Sequence, residues 1–284
     1  MANNILLGFG VSIYFDSKKM TTHALIVNIQ AVNNAFSLDS VVQGSSFEFE
    51  IPETLIKEQR GTLIWRYKLE EKYNLVIKMY RKQGNITVFR EKLLSYRTQR
   101  EFEVLKRLHD GNCPCTEPVL WATGTSSIHG NYEILATIEF ENSIPLRQLL
   151  IDPEVSNNIN YANLFQAIYQ MHELGVYHGS LNDRNILVEN SQSPSSYRLI
   201  DFSASICFPG RIHNTRMAWF DLLHFSKALS RSVDVTIPLQ ILDLYKFTKY
   251  LKERFKTRLD KYQSSRHTRN RIRGEFKLRS VLRI

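Results

Sequence analysis

From Phe47 onward, polar and apolar positions first alternate and later follow a helical period. Phe47, Phe49 and Ile51 alternate with Glu48 and Glu50, the two-residue period of a half-buried strand. Thr62–Tyr67 is rich in β-formers, and Asn74–Tyr80 continues the pattern after the charged turn Lys68–Lys72. A helix is predicted over Arg97–Leu108, where Phe102, Leu105 and Leu108 form a stripe. Gly111 ends that helix, and Pro114 and Pro118 keep it from resuming. Val119–Ala122 and Tyr132–Phe140 read as two more strands, the second leading into a connector, Glu139–Asn142. Leu146–Leu150 begins a helix, and Tyr161–Leu174 is a stronger one, with Leu164, Ile168, Met171 and Leu174 on one face and Gly175 as its C-cap. Three short apolar runs follow, Val176-Tyr177, Ile186–Val188 and Tyr197–Ile200, the last two joined as a hairpin by a turn rich in Ser and Asn. Leu244, Leu251, Phe255 and Tyr262 form a further stripe at helical spacing, with Lys249, Lys252, Arg254, Lys256 and Lys261 mostly elsewhere on the turn. Residues 1–46 hold one short apolar run, Leu25–Ile29, and a polar stretch from Asn33 to Ser46; strand mixed with loop is expected there.

Charge changes this picture at one end only. The chain of 284 residues has a net charge of +9, and residues 251–284 hold twelve of its 37 Lys/Arg but three of its 28 Asp/Glu. The rest is therefore balanced, at 25 of each sign. Such a tail suits an acidic partner, either nucleic acid or an anionic membrane surface, although a solvated charged end gives the same pattern. No apolar run approaches the ~18 residues of a membrane-spanning helix. The start, Met-Ala-Asn-Asn-Ile-Leu-Leu, lacks a basic n-region, so a secretion signal is not expected. Cys113, Cys115 and Cys207 are an odd number without metal or redox spacing, which points to reduced thiols and a cytoplasmic protein.

The chemistry gathers between Gly175 and Ser203. Phosphoryl transfer from a nucleotide needs an Asn and an Asp at the mouths of two short strands, where their oxygens hold the cation that bridges the phosphates. Asn185 and Asp201 occupy such mouths. His178, Leu181, Asn185, Asp201 and Phe202 match the protein-kinase catalytic loop, His-x-Asp-Leu-x-x-x-x-Asn, and the Asp-Phe-Gly that follows it. Ser180 stands in place of the catalytic Asp, and Ser203 in place of the Gly. Upstream, Lys78 lies within the apolar run Leu75–Tyr80 and Glu101 within the next helical stretch, as for an ion pair that positions a phosphate-binding lysine. Gly61 precedes a strand where a hairpin backbone approaches a phosphate, and Glu139 opens the connector whose backbone would meet an adenine edge. Taken singly, each has a plainer reading: an ordinary polar hairpin, a solvent-facing edge lysine, a buried core histidine.

Together these words resemble the lipopolysaccharide-core branch of the kinase-like superfamily, most closely the 3-deoxy-D-manno-octulosonic acid (Kdo) kinases. The resemblance rests on Val76–Lys82, Arg97–Leu105, His178–Val188 and Leu199–Phe202, with a counterpart of the family's short helical ending in Trp219–Ser230, and covers roughly residues 47–230. It implies an α+β, two-lobed protein-kinase-like fold with a β-rich N-lobe (47–140) and a short, mainly helical C-lobe (141–250), between an N-terminal extension (1–46) and a basic tail (251–284). It also implies ATP and Mg2+ as cofactors, with a sugar hydroxyl on a lipid A precursor or inner-core sugar as acceptor, at the cytoplasmic face of the inner membrane. Lys78 would then hold the phosphates, Glu101 would orient Lys78, Asn185 and Asp201 would ligate the metal, and His178 would brace the loop. Ser180 cannot accept a proton as a carboxylate does, and Asn182 is the residue left to orient the acceptor hydroxyl. Asp183 is expected to turn away. The alternative is a pseudokinase that binds nucleotide and acts as a scaffold or regulator. Nucleic acid is the weakest partner, because the tail lacks an aromatic platform.

Overall fold

The computed structural model describes residues 2–7, 11–16, 55–59, 61–69, 73–81, 97–126, 130–152, 156, 158–191, 194–234 and 236–264. The strand expected at Phe47–Ile51, the run Leu25–Ile29 and the stretch Asn33–Ser46 lie outside them. The chain divides into two compact units, Met1–Glu103 with Glu117–Glu139, and Val104–Thr116 with Phe140–Ile284.

The first unit is built on one antiparallel sheet. Its strands are β1 (Ala2–Leu7), β2 (Val11–Asp16), β3 (Leu55–Gln59), β4 (Thr62–Leu69), β5 (Tyr73–Arg81), β6 (Pro118–Ser126) and β7 (Gly130–Ile138), in the order β1-β2-β6-β7-β5-β4-β3. Alternation sets its inner face: Leu63 and Trp65 of β4 and Leu75, Ile77 and Met79 of β5 are buried. They meet as cross-strand pairs, Leu63 opposite Met79 and Trp65 opposite Ile77. Strand β6 runs beyond the expected Val119–Ala122, because its ladder with β7 continues through Thr123–Ser126 after the last apolar residue. Helix α1 (Arg97–Asp110) begins in this unit, and a carboxylate from the sheet anchors its first turn. Buried Glu133 of β7 accepts bonds from the amide and the hydroxyl of Thr98, both at 2.8 Å. A negative group there satisfies an orphan helix donor and faces the positive end of the helix dipole.

The second unit is mainly helical. It contains β8 (Ser143–Pro145), α2 (Leu146–Leu149), α3 (Tyr161–Glu173), β9 (Val176–Tyr177), β10 (Ile186–Glu189), β11 (Tyr197–Leu199), β12 (Ile206–Cys207), α4 (Arg216–Leu229), α5 (Thr236–Gln240) and α6 (Lys249–Ser264). Asn160 caps α3 through its side chain, which accepts from the Asn163 amide at 3.1 Å. Leu164, Phe165, Ile168 and Met171 are the buried face of that helix. Strands β11, β10 and β8 form a small sheet, and β12 pairs with β9. The expected hairpin between Ile186–Val188 and Tyr197–Ile200 is β10–β11, with Ile186 opposite Leu199.

Helix α6 corrects the stripe read from the sequence. Leu244 lies in a 3-10 turn and is exposed, and Leu251 is half-buried. The buried seam is Phe255, Leu259 and Tyr262. It packs on α4, where the Trp219 and Phe255 rings meet edge to face at 5.9 Å and Trp219 Nε1 donates to the Leu251 carbonyl at 3.1 Å. The stripe is thus consumed by the unit itself, and α6 turns its Lys249, Arg254 and Lys256 side chains to solvent. Among the described residues no helix is long and apolar enough to cross a membrane.

Candidate functional site

In the first unit, β5 and α1 bring Lys78 and Glu101 together. Lys78 Nζ lies 3.2 and 3.4 Å from the two Glu101 carboxylate oxygens, and the Tyr80 hydroxyl donates to Oε2 at 3.3 Å. Glu101 is only 3% exposed and Lys78 15%, so this ion pair is shielded from water, unlike the pairs that decorate a surface. The Tyr80 ring lies under both the Lys78 ammonium, at 5.1 Å, and the Arg97 guanidinium, at 4.0 Å. Gly61 stands between β3 and β4 with φ +81°, a conformation that a side chain would strain, and its carbonyl accepts from the Arg81 amide at 2.7 Å. At the end of this unit the Glu139 carboxylate meets Arg66 at 2.6 Å. Its amide donates to the Asn74 carbonyl at 2.7 Å, so the only backbone group it can offer a ligand is its own carbonyl.

In the second unit, α3 delivers the chain through β9 into a compact polar loop. His178 is fully buried, its Nε2 is 3.1 Å from the Ile200 carbonyl, and its ring lies 4.6 Å from that of Phe202. Burial pushes the His178 imidazole below its ordinary pKa, against the opposing pull of Asp221 and Asp201. A neutral ring that donates from Nε2 leaves Nδ1 as an acceptor, and Ser180 Oγ lies 3.5 Å from it. Asn185 Nδ2 reaches the Ser180 carbonyl at 3.0 Å and Ser180 Oγ at 3.3 Å. The Ile200 amide donates to the Asn185 backbone carbonyl at 3.0 Å, which sets Asn185 beside the residue preceding Asp201. Asp201 itself is left-handed, at φ 62° and ψ 60°, and Oδ1 accepts from Ser203 Oγ at 3.0 Å. Ser203 thus contributes a bond that a glycine at its position could not.

Asn182 takes part in shaping the loop itself. Its Nδ2 donates to the Ser180 carbonyl at 2.6 Å and its Oδ1 accepts from the Arg184 amide at 2.9 Å. Both ends of the amide are engaged in shaping the loop, as short polar side chains do in turns. Asp183 is buried, and its carbonyl accepts from the Arg147 amide at 2.9 Å.

Two residues absent from the sequence argument hold this loop from beneath. Asp221 of α4, buried, accepts from the His178 amide at 2.7 Å and the Gly179 amide at 2.9 Å, one to each oxygen. Buried His172 of α3 lies 3.3 Å from Asp221 Oδ2 through Nε2. Gly179 has φ +77°, so the turn that presents both amides to one carboxylate is closed to other residues without strain. The signal for Asp221 is present in the sequence: one acid inside Ala218-Trp219-Phe220-Asp221-Leu222-Leu223 must find donors if that run is buried.

The donor set suits a hard divalent cation. With Nδ2 of Asn185 committed to Ser180, its Oδ1 is the amide atom left to act as a ligand, and Asp201 supplies a carboxylate. One or two such oxygens, completed by phosphate oxygens and water, are what magnesium takes from a protein at a nucleotide site.

Comparison with known proteins follows the same lines. The model of the lipopolysaccharide kinase (Kdo/WaaP) family matches residues 50–250. A 3-deoxy-D-manno-octulosonic acid kinase of Actinobacillus succinogenes is 30% identical over 106 residues, 37% of this chain and 44% of that protein. One from Mannheimia succiniciproducens is 26% identical over 116 residues, 41% of this chain and 48% of that protein. The matched stretch thus spans less than half the length of these curated relatives. A solved structure described as WaaP in complex with acyl carrier protein superposes with a TM-score of 0.59, over 88% of this chain and 98% of that one. At 13% identity that likeness is one of fold, and the fold is kinase-like, α+β.

Proposed function

Because this chain belongs to the lipopolysaccharide kinase (Kdo/WaaP) family, we propose that it transfers the γ-phosphoryl group of ATP to a hydroxyl of a Kdo sugar on a lipid A precursor or inner core. The observation that carries the reading is the shielded Lys78–Glu101 pair. A solvent-facing lysine has no need of a buried carboxylate. A lysine that must present one fixed charge to phosphates does.

In this reading Lys78 neutralises the nucleotide phosphates and Glu101, with Tyr80, fixes its position. Asn185 and Asp201 would hold Mg2+, which would supply positive charge against the nucleotide phosphates. Gly61 lets the β3–β4 turn come close to phosphate, and the Glu139 carbonyl meets the base. The acceptor oxygen attacks the γ-phosphorus, the bond to the bridging oxygen breaks, ADP leaves, and the hydroxyl proton ends in solvent. Ser180 cannot take that proton as a carboxylate would, which costs about 10²–10⁴-fold in rate. Positioning and charge neutralisation supply most of the acceleration in this chemistry, so the result is a slow enzyme.

The acceptor places the protein at the cytoplasmic face of the inner membrane. The apolar seam of α6 is covered by α4, and its exposed Lys249, Arg254 and Lys256 support attachment to an anionic surface through charge. The test is a thermal shift with ATP and Mg2+ followed by transfer of labelled phosphate to a Kdo-bearing lipid acceptor. A shift absent in Asp201→Ala, with transfer, supports the kinase. A shift without transfer selects the nucleotide-binding pseudokinase, for which Ser180 speaks. No shift removes both.

A further inference from the structure

We propose that Tyr245, downstream of the catalytic segments, is a positioning residue for the loop that carries Ser180 and Asn185, acting through His172 and Asp221. This rests on the phosphoryl-transfer reading for its kinetic consequence and on geometry alone for its structural one. Tyr245 follows the 3-10 turn Ile241–Leu244 and is 1% exposed. Its hydroxyl lies 2.7 Å from His172 Nδ1, the opposite ring nitrogen to the one that faces Asp221. Asp221 in turn accepts the two amides immediately before Ser180. One unbroken path of hydrogen bonds therefore runs from the C-terminal segment to the catalytic loop.

The path has a direction. Burial first, then Asp221, Tyr169 and Glu173, push the Tyr245 phenol well above its ordinary pKa, so it stays protonated and can donate. A hydroxyl that donates to Nδ1 requires a lone pair there, which puts the His172 ring proton on Nε2, where it donates to Asp221. The other tautomer would turn a lone pair toward the carboxylate. Tyr245 thus selects the form of His172 that holds the carboxylate square to the His178 and Gly179 amides. The titratable and charged groups around this path come from each element packed there. Asp221 belongs to α4, and Tyr169 and Glu173 belong to α3. Arg211 and His213, from the segment before α4, face Glu173 at 3.3 and 2.5 Å. The ring itself is held independently, edge to face with Tyr169 and stacked on Phe247, both at 5.2 Å, so removing the oxygen need not move it.

The experiment compares the full chain with Tyr245→Phe, using Phe247→Leu as a control that loses stacking and keeps the hydroxyl. Nitrogen-15 NMR of the histidine rings should show a single Nε2–H tautomer for His172 in the wild type and in Phe247→Leu, and a mixture in Tyr245→Phe. Amide exchange at His178 and Gly179 should rise about tenfold in Tyr245→Phe, the scale of one lost hydrogen bond. For an active wild type, kcat should fall by a similar factor while KM for ATP is unchanged. Should Tyr245→Phe not fold, His172→Gln and His172→Leu replace it. Gln keeps an acceptor on one side and a donor on the other and should retain loop protection, which Leu should lose. An unchanged tautomer and unchanged exchange in Tyr245→Phe, or equal loss in the Gln and Leu variants, overturns the proposal. The NMR readouts need no turnover, so a failed kinase assay leaves this test standing.

Discussion

Asp221→Asn is the sharpest single test of how the catalytic loop is held. The 1% exposed carboxylate accepts two amides, from buried His178 at 2.7 Å and from half-buried Gly179 at 2.9 Å, and faces buried His172 at 3.3 Å. Asparagine keeps the volume and one acceptor oxygen, and turns the other oxygen into an NH2 group. Whichever way the amide sits, either the His178 or the Gly179 N–H then faces a donor. Leaving one buried donor unpaired costs about 1–3 kcal/mol, and the surviving bond loses its charge assistance, worth about 1 kcal/mol more. The sum, about 2–4 kcal/mol, corresponds to a fall in Tm of about 3–7 °C for a chain of this size. Differential scanning calorimetry gives the Tm, and hydrogen exchange over residues 178–185 locates the loss. Phosphate transfer should fall at least about tenfold, because Ser180 and Asn185 ride on the loosened loop. The shift caused by ATP should survive in part, since the Lys78–Glu101 pair is untouched. A variant with Tm within about 1 °C of wild type and unaltered loop exchange would refute the reasoning, because no arrangement of an amide can satisfy both backbone donors.

Three further outcomes are expected. Ser180→Asp should raise turnover by one or more decades while ATP binding is unchanged; equal turnover would mean that proton removal does not limit the reaction. His178 is held below its ordinary value of 6.5, so the unfolded chain binds the extra proton first. Stability should therefore be full above that value and decline as pH falls from it toward the lowered native value, by at most about 1.4 kcal/mol per pH unit. Thermal melts across that range should lose part of their slope in His178→Gln, and an identical slope contradicts the assignment. Reversing Lys249, Arg254 and Lys256 to Glu should weaken sedimentation with anionic vesicles at least about 100-fold, at about 1 kcal/mol per charge, and added salt should do the same. Salt-insensitive binding would point to an apolar contact instead.

How much of this was legible before the structure depended on whether a residue announces itself locally. The β10–β11 hairpin and helix α3 were readable because period, cap and turn residues all lie within a few positions of one another. The pairing of Lys78 with Glu101 was readable because Lys78 interrupts the apolar run Leu75–Tyr80 and the kinase-like order of motifs puts its partner on the next helix. Glu133 breaks a pattern too, but its reason is the first turn of α1, 35 residues upstream, and nothing around Ile134 discloses that. Asp221 and His172 lie 49 residues apart and Tyr245 lies 73 from His172, so their meeting is a property of how α3, α4 and the C-terminal segment pack. Asn182 carries a part the sequence does not disclose: a polar residue in a reactive loop invites a catalytic role, and only the bonds to Ser180 and Arg184 show that it also shapes the turn. The motif-bearing segments name Ser180, Asn185 and Asp201, while the groups that hold their loop, Asp221 and His172, lie in helices whose own words read as core. A loop with a serine in place of its usual base has the more need of such a clamp, since the rate that remains comes from position and charge rather than from proton transfer.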